Sequence, residues 1–191
     1  MTYNILIAGV GGQGTLLASK LMGMVFMGKG YDIKVSEVHG MSQRGGSVVT
    51  YVRFGDKVSS TVIEKGEADM VLSFELLESA RWLPYLKKDG VLISNTQKIN
   101  PMPVITGQAA YPEDIAEKLR ATGVRLHTVD ALSLALKAGS AKSVNVALLG
   151  VAARYLGVER ELWEEAIRSA VPPKTVETNL AAFAAGYETK E

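Results

Sequence analysis

The stretch Tyr3-Asn-Ile-Leu-Ile-Ala-Gly9-Val-Gly-Gly-Gln-Gly14-Thr15-Leu-Leu-Ala18 decides the fold reading. Tyr3 to Ala8 is a short apolar run that reads as a buried strand and ends on glycine. Leu16, Leu17, Lys20, Leu21, Met24 and Val25 then recur at helical spacing as far as Gly28 and Gly30. Between them, Gly9, Gly11 and Gly14 have the G-x-G-x-x-G spacing in the strand-to-helix context that gives it meaning. The first glycine permits a tight turn, the second lets backbone approach an anion, and the third lets helix and strand pack closely. Amides at the start of the helix would face that anion along the helix dipole. Gly12 and Gln13 keep the loop slim, which suits a large anion or another protein chain lying on it, while close packing alone is the plainer use of such glycines.

Outward from this unit, Asp32 to Glu37 reads as a second strand. Ser47 to Phe54 and Lys57 to Ile63 are β-branched runs around Gly55-Asp56, which predicts a hairpin. Met70 to Phe74 resumes the parallel pattern, with a helix from Glu75 to Leu86 and a strand from Gly90 to Asn95. Pro101 and Pro103 make Thr96 to Gly107 a loop or edge strand. Pro112 suits the first turn of a helix running to Ala121, and Val124 to Val129 supplies another strand. From Asp130 the reading is helical, in segments broken at Gly139, Gly157 and Pro172-Pro173. The expected fold is α/β and Rossmann-like: one domain over residues 1–191, with a mostly parallel open sheet, an inserted β-hairpin and a helical C-terminal region.

A second constellation, Glu37-Val-His-Gly-Met-Ser-Gln-Arg-Gly-Gly-Ser47, leaves the end of the second strand, where open α/β sheets place their ligands. Arg44 offers a planar fork for phosphate or carboxylate, Gly45 and Gly46 can form an amide nest, and Ser42, Gln43 and Ser47 add neutral hydrogen bonds. His39 could titrate near neutrality or simply bond its own loop. Glu37 sits where a ribose-binding acid would be expected. A third segment, Gly139-Ser-Ala-Lys-Ser-Val-Asn145, puts an asparagine on an otherwise apolar helical face; if buried it needs a partner, most simply backbone of a neighbouring loop. The acids Glu159, Glu161, Glu164 and Glu165 read as a solvated helix face, and the methionines as adaptable core or interface filler.

Totals narrow the chemistry. The 21 Lys and Arg residues balance 20 Asp and Glu, so no global positive field draws the chain to nucleic acid or an anionic membrane. With 0 cysteines there is no disulfide, thiolate nucleophile or protein ligand for an iron–sulfur cluster. Only two histidines are present, His39 and His127, so a metal centre or a histidine-based triad has little to work with. No basic leader precedes the first strand and no apolar run approaches the roughly 20 residues that span a bilayer, so the expected location is cytoplasmic.

The three elements GVGGQG, EVHGMSQRGGSV and AGSAKSVNVALLG, in this order, resemble the small gamma-type subunit of the 2-oxoacid:ferredoxin oxidoreductases, and within it the indolepyruvate-specific branch. The resemblance covers nearly the whole chain. It implies an assembly that oxidatively decarboxylates an arylpyruvate, passes two electrons to ferredoxin and yields an aryl-acetyl-CoA and carbon dioxide. The resemblance places thiamine diphosphate, magnesium and [4Fe-4S] clusters on a larger partner subunit, with coenzyme A as co-substrate. Gly9, Gly11, Gly12, Gln13, Gly14 and Thr15, with Ser42, Gln43, Arg44, Gly45, Gly46 and Ser47, become an anion-receiving surface that helps hold coenzyme A or closes the partner's active site. No catalytic residue is expected on this chain. The alternatives are a stand-alone NAD-binding oxidoreductase or NAD-sensing module, and a purely structural subunit whose glycine loops accept partner backbone.

Overall fold

A computed structural model describes residues 2–39 and 45–190, with His39 given by its backbone alone. Among these residues, six strands form one sheet in the order β2-β3-β1-β4-β5-β6. The strands are β1 (Thr2–Val10), β2 (Asp32–His39), β3 (Ser47–Gly55), β4 (Ala68–Ser73), β5 (Leu86–Asn95) and β6 (Arg125–Val129). β1, β4, β5 and β6 run parallel, whereas β3 is antiparallel to both β1 and β2. The expected α/β class and mostly parallel sheet are therefore present.

The hairpin is also present, but its strands are not the predicted pair. β3 pairs with the preceding β2, Asp32 opposite Gly55 and His39 opposite Val48, rather than with Lys57 to Ile63. The link between β2 and β3 is too short for a parallel crossover, which takes a dozen residues or more, so the chain must fold straight back. β3 then gives its other edge to β1, with Thr2 opposite Gly55 and Val10 opposite Ser47, leaving no edge for a further strand. The 57–63 segment instead buries Val58 and Ile63 and satisfies its backbone with side chains. The Val58 amide donates to Asp32 Oδ2 at 2.8 Å, and Arg53 Nη1 donates to the carbonyls of Ser60 and Val62 at 3.1 and 2.7 Å.

Helices cover both faces. Helix α1 (Thr15–Gly28), α5 (Ala131–Lys137), α6 (Val144–Ala153), α7 (Arg160–Ala170) and α8 (Val176–Tyr187) gather on one side, packing Leu21, Met22, Phe26, Leu148, Trp163 and Phe183 over Ile5, Ile7, Val52 and Leu72. Helix α2 (Leu76–Trp82) and α4 (Ile115–Ala121) cover the other, over Leu6, Val49, Val71 and Leu92. The predicted helix from Glu75 to Leu86 stops at Trp82 because Pro84 supports only a 3-10 turn, and Leu86 already begins β5. Thr96 to Gly107 contains no strand but the one-turn helix α3 (Met102–Ile105), and Pro112 precedes α4 rather than entering its first turn. No helix among the described residues is long and apolar enough to cross a membrane.

Candidate functional site

The loop Gly11–Gly14 sits where β1 hands over to α1, at the edge where the parallel strands end. Its glycines have distinct reasons. A Cβ on Gly9 would stand 3.2 Å from Phe74 Cβ and 3.2 Å from Thr15 Cγ2, so the first glycine serves close packing. Gly12 and Gly14 have φ of 102° and 82°, which side-chain-bearing residues rarely adopt. A Cβ on Gly14 would also fall 2.5 Å from Asn145 Nδ2.

The second glycine does not point its amide outward. Gly11 N–H donates to the Gly46 carbonyl at 2.9 Å, and Gly45 N–H reaches the Gly11 carbonyl at 3.5 Å. Gly45 and Gly46 thus extend the β1–β3 ladder past its end and lie beside Gly11. Gln13 is an internal brace: Val10 N–H donates to its Oε1 at 2.8 Å, and its Nε2 donates to the Phe74 carbonyl at 2.9 Å. The Ser47 hydroxyl is spent on Glu78 Oε2 at 2.5 Å. Ser42, Gln43 and Arg44 lie outside the described residues. What remains for a ligand is the α1 end, where Gly12, Gly14, Thr15 and Leu16 find no backbone acceptor for their amides among the described residues.

A cavity of about 470 Å³ opens there, lined by Gly11, Gly12, Gly14, Thr15, Leu16, Glu37 and Val48. Glu37 reaches it from β2, two strands away from β1, because Glu37, opposite Thr50, and Val48 share the α1-facing side of their strands. In a dinucleotide-binding fold the acid comes from a parallel strand directly beside β1. Here the antiparallel β3 occupies that place, so the geometry does not favour the NAD alternative. A carboxylate at one wall and helix amides at the other suit a ligand with an anionic end and a hydroxyl or amide donor elsewhere.

On the opposite face of the same edge, a cleft of about 340 Å³ runs between Gly45, Gly46 and Ser47 on one side and Glu75, Glu78, Arg81, Ile99, Pro101 and Met102 on the other. Glu75 caps α2 by accepting Glu78 N–H at 2.9 Å, and it also accepts from Ile99 N–H at 3.0 Å and the Tyr111 hydroxyl at 2.6 Å. Burial, then this bond to Glu75, raises the Tyr111 phenol above its ordinary range. Sequence reading missed both acids, since a glutamate at the start of a helix reads as a solvated cap. It also missed Asn95, whose Nδ2 donates to the Phe74 carbonyl at 3.1 Å while its Oδ1 accepts Ala131 N–H at 3.2 Å, joining the ends of β4, β5 and β6.

Asn145 does what the sequence suggested. It is buried at the start of α6, and its Nδ2 donates to the Gly14 carbonyl at 3.3 Å. Asn145→Ala should cost about 1 kcal/mol, the worth of one part-buried hydrogen bond, read as a lower urea midpoint at unchanged slope. An unchanged midpoint would show that water replaces the amide there.

The chain belongs to the pyruvate ferredoxin/flavodoxin oxidoreductase family, whose model matches residues 4–189. It is a subunit of a 2-oxoacid oxidoreductase of this class, with larger partner subunits implied. It is 44% identical to the indolepyruvate oxidoreductase subunit IorB of Thermococcus kodakarensis over 97% of this chain and 95% of that protein. The IorB of Archaeoglobus fulgidus is 40% identical over 98% and 94%. Among solved structures, the gamma subunit of a keto/oxoacid ferredoxin oxidoreductase from Geobacter sulfurreducens superposes with a TM-score of 0.72 at 25% identity, covering 97% of this chain and 96% of that one. Cysteine is absent from the sequence, and among the described residues no group of three or more His, Cys, Asp or Glu could hold a metal ion.

Proposed function

We propose that the chain is the subunit without redox cofactors of an indolepyruvate or arylpyruvate ferredoxin oxidoreductase, serving the conversion to aryl-acetyl-CoA, carbon dioxide and reduced ferredoxin. Thiamine diphosphate, magnesium and the [4Fe-4S] clusters belong to the larger partner, which carries out the decarboxylation and electron transfer. This chain supplies the edge bearing the two glycine loops, which receives coenzyme A or closes the partner's active site. The observation carrying this reading is the cavity of about 470 Å³ at the α1 N-terminus, walled by helix amides and Glu37. Coenzyme A has phosphates for the amides and hydroxyl and amide groups for the carboxylate.

The distribution of exposed apolar surface supports a partner on the same edge. Leu16, Met102 and Ile105, exposed to 61%, 61% and 64%, are the most exposed large apolar residues among those described. Leu16 lines the glycine-loop cavity, Met102 lines the cleft behind it, and Ile105 closes the same one-turn helix. Exposed apolar side chains at this edge are what a lasting interface leaves bare on an isolated subunit, and Met27 and Leu136, exposed to 59% and 57%, extend such surface beyond it.

In the assembled enzyme, coenzyme A should slow hydrogen exchange at Gly9–Thr15 and Gly45–Ser47, and Arg44→Ala should weaken coenzyme A about tenfold, as expected for one lost charge-assisted contact. Failure of both would remove coenzyme A from this edge. Titration of the isolated chain with NAD(H) should show no binding, whereas an independent dinucleotide enzyme would bind without help.

A further inference from the structure

Two adjacent glycine loops have little stiffness of their own, because glycine gives up more conformational freedom on ordering than any other residue. Something outside them must fix their spacing if they are to present a formed site. On the β1 side Gln13 and Asn145 do this. On the β3 side the attachment is Ser47, the residue next to the Gly46 carbonyl that receives the Gly11 amide.

Ser47 donates to Glu78, a residue that is 4% exposed. The Glu78 carboxylate receives two further donors from its own helix, Arg81 Nε on Oε1 at 3.0 Å and Trp82 Nε1 on Oε2 at 3.2 Å. All three partners are donors. A carboxylate, which only accepts, satisfies all of them, whereas an amide would turn its own N–H₂ toward at least one. The helix holding Glu78 is fixed in turn through Glu75, which ties its N-terminus to Ile99 and Tyr111. A charge-assisted network centred on a buried carboxylate is stiffer than the glycine loop it holds. Its negative charge lies on the cleft side and is met by Arg81, away from the α1 amides.

We propose that Glu78 is a positioning residue for the coenzyme A reaction, gripping Ser47 so that Gly45 and Gly46 stay in register with Gly11 and the anion-receiving loop is formed before ligand arrives. This rests on the coenzyme A reading above. Its test uses the assembled enzyme carrying Glu78→Leu, Glu78→Gln or Ser47→Ala, with KM for coenzyme A, kcat, and hydrogen exchange at Gly45–Ser47 measured without coenzyme A.

Glu78→Leu should raise that KM about tenfold with kcat within about twofold, and should speed exchange at Gly45–Ser47. Glu78→Gln should fall between Glu78→Leu and the wild type, and Ser47→Ala, which removes only the loop's half of the contact, should reproduce much of the KM effect. Unchanged exchange in Ser47→Ala and Glu78→Gln would overturn the inference. So would a loss of activity that follows the folded fraction with KM unmoved. If coenzyme A dependence instead responds to charge placed at Gly12 but not to these variants, only the positioning role fails. If neither moves it, the coenzyme A reading fails as well.

Discussion

Gly186→Ala should destabilise the protein by about 3 kcal/mol or more, although alanine is the better helix former by about 1 kcal/mol. Helices α6 and α8 cross at contact distance: a Cβ on Gly186 would lie 1.9 Å from the Ala147 carbonyl oxygen and 2.8 Å from its carbon. The reciprocal site is equally closed, with a Cβ on Gly150 falling 2.2 Å from the Phe183 carbonyl oxygen and 2.8 Å from Tyr187 N. These obstacles are backbone atoms, so no rotamer change relieves them. α6 cannot retreat, since every residue from Asn145 to Ala153 is buried. The helices would have to part by about 1.5 Å, costing dispersion contacts along the seam around Phe183 and Trp163. Against a total stability on the order of 5–15 kcal/mol this is a large share. The check is the urea midpoint. Gly150→Ala should behave alike, and the double variant should cost less than the sum, because one separation accommodates both. Gly23→Ala on α1 is the control: no atom lies within 4 Å of the added Cβ, so stability should rise by up to about 1 kcal/mol. A midpoint for Gly186→Ala at or above the wild type would mean the crossing is looser than described.

The legible parts of this fold were those governed by local rules. The first strand, the glycine turn and the Asn145 clamp each follow from residue type and neighbours. The pairing of β3 was not legible from β-propensity, because Lys57 to Ile63 is as β-branched as a strand. What decides it is that both edges of β3 are taken and that the link to β2 is too short to cross over. Periodicity in α1 was only partly legible. Leu21 and Val25 are buried as their spacing predicts, and Ala18, Met22 and Phe26 complete that face, but Leu16 and Lys20 fit the same spacing and are exposed. The apolar Leu16 follows a different rule from the core, since it lines the cavity at the α1 N-terminus. Glu75 and Glu78 stayed hidden because sequence gives a helical glutamate no sign of burial. Their donors, Ser47, Ile99 and Tyr111, come from distant parts of the chain.

Gly12→Asp should weaken coenzyme A by about tenfold to a hundredfold while leaving the protein folded, and Gly12→Asn should do far less. Gly12 is exposed in the loop lining the cavity, and an added Cβ meets nothing within 4 Å. Its φ of 102° imposes strain on any side chain, about 1–2 kcal/mol, and nearly equally on aspartate and asparagine, which are close in shape. Their difference is therefore charge. A carboxylate beside the first turn of α1 complements the helix dipole and should stabilise the free protein by about 0.3–1 kcal/mol relative to asparagine. The same charge repels a phosphate seated on those amides by about 3 kcal/mol at ~5 Å and an effective dielectric near 20, less screening. Stability and affinity should thus move in opposite directions, which misfolding cannot mimic. The separation between the two variants in KM for coenzyme A should shrink as salt is raised from 50 to 500 mM, on the order of a fall in Debye length from 14 to 4 Å. Equal KM values for the aspartate and asparagine enzymes would show that no anion occupies this end of the cavity.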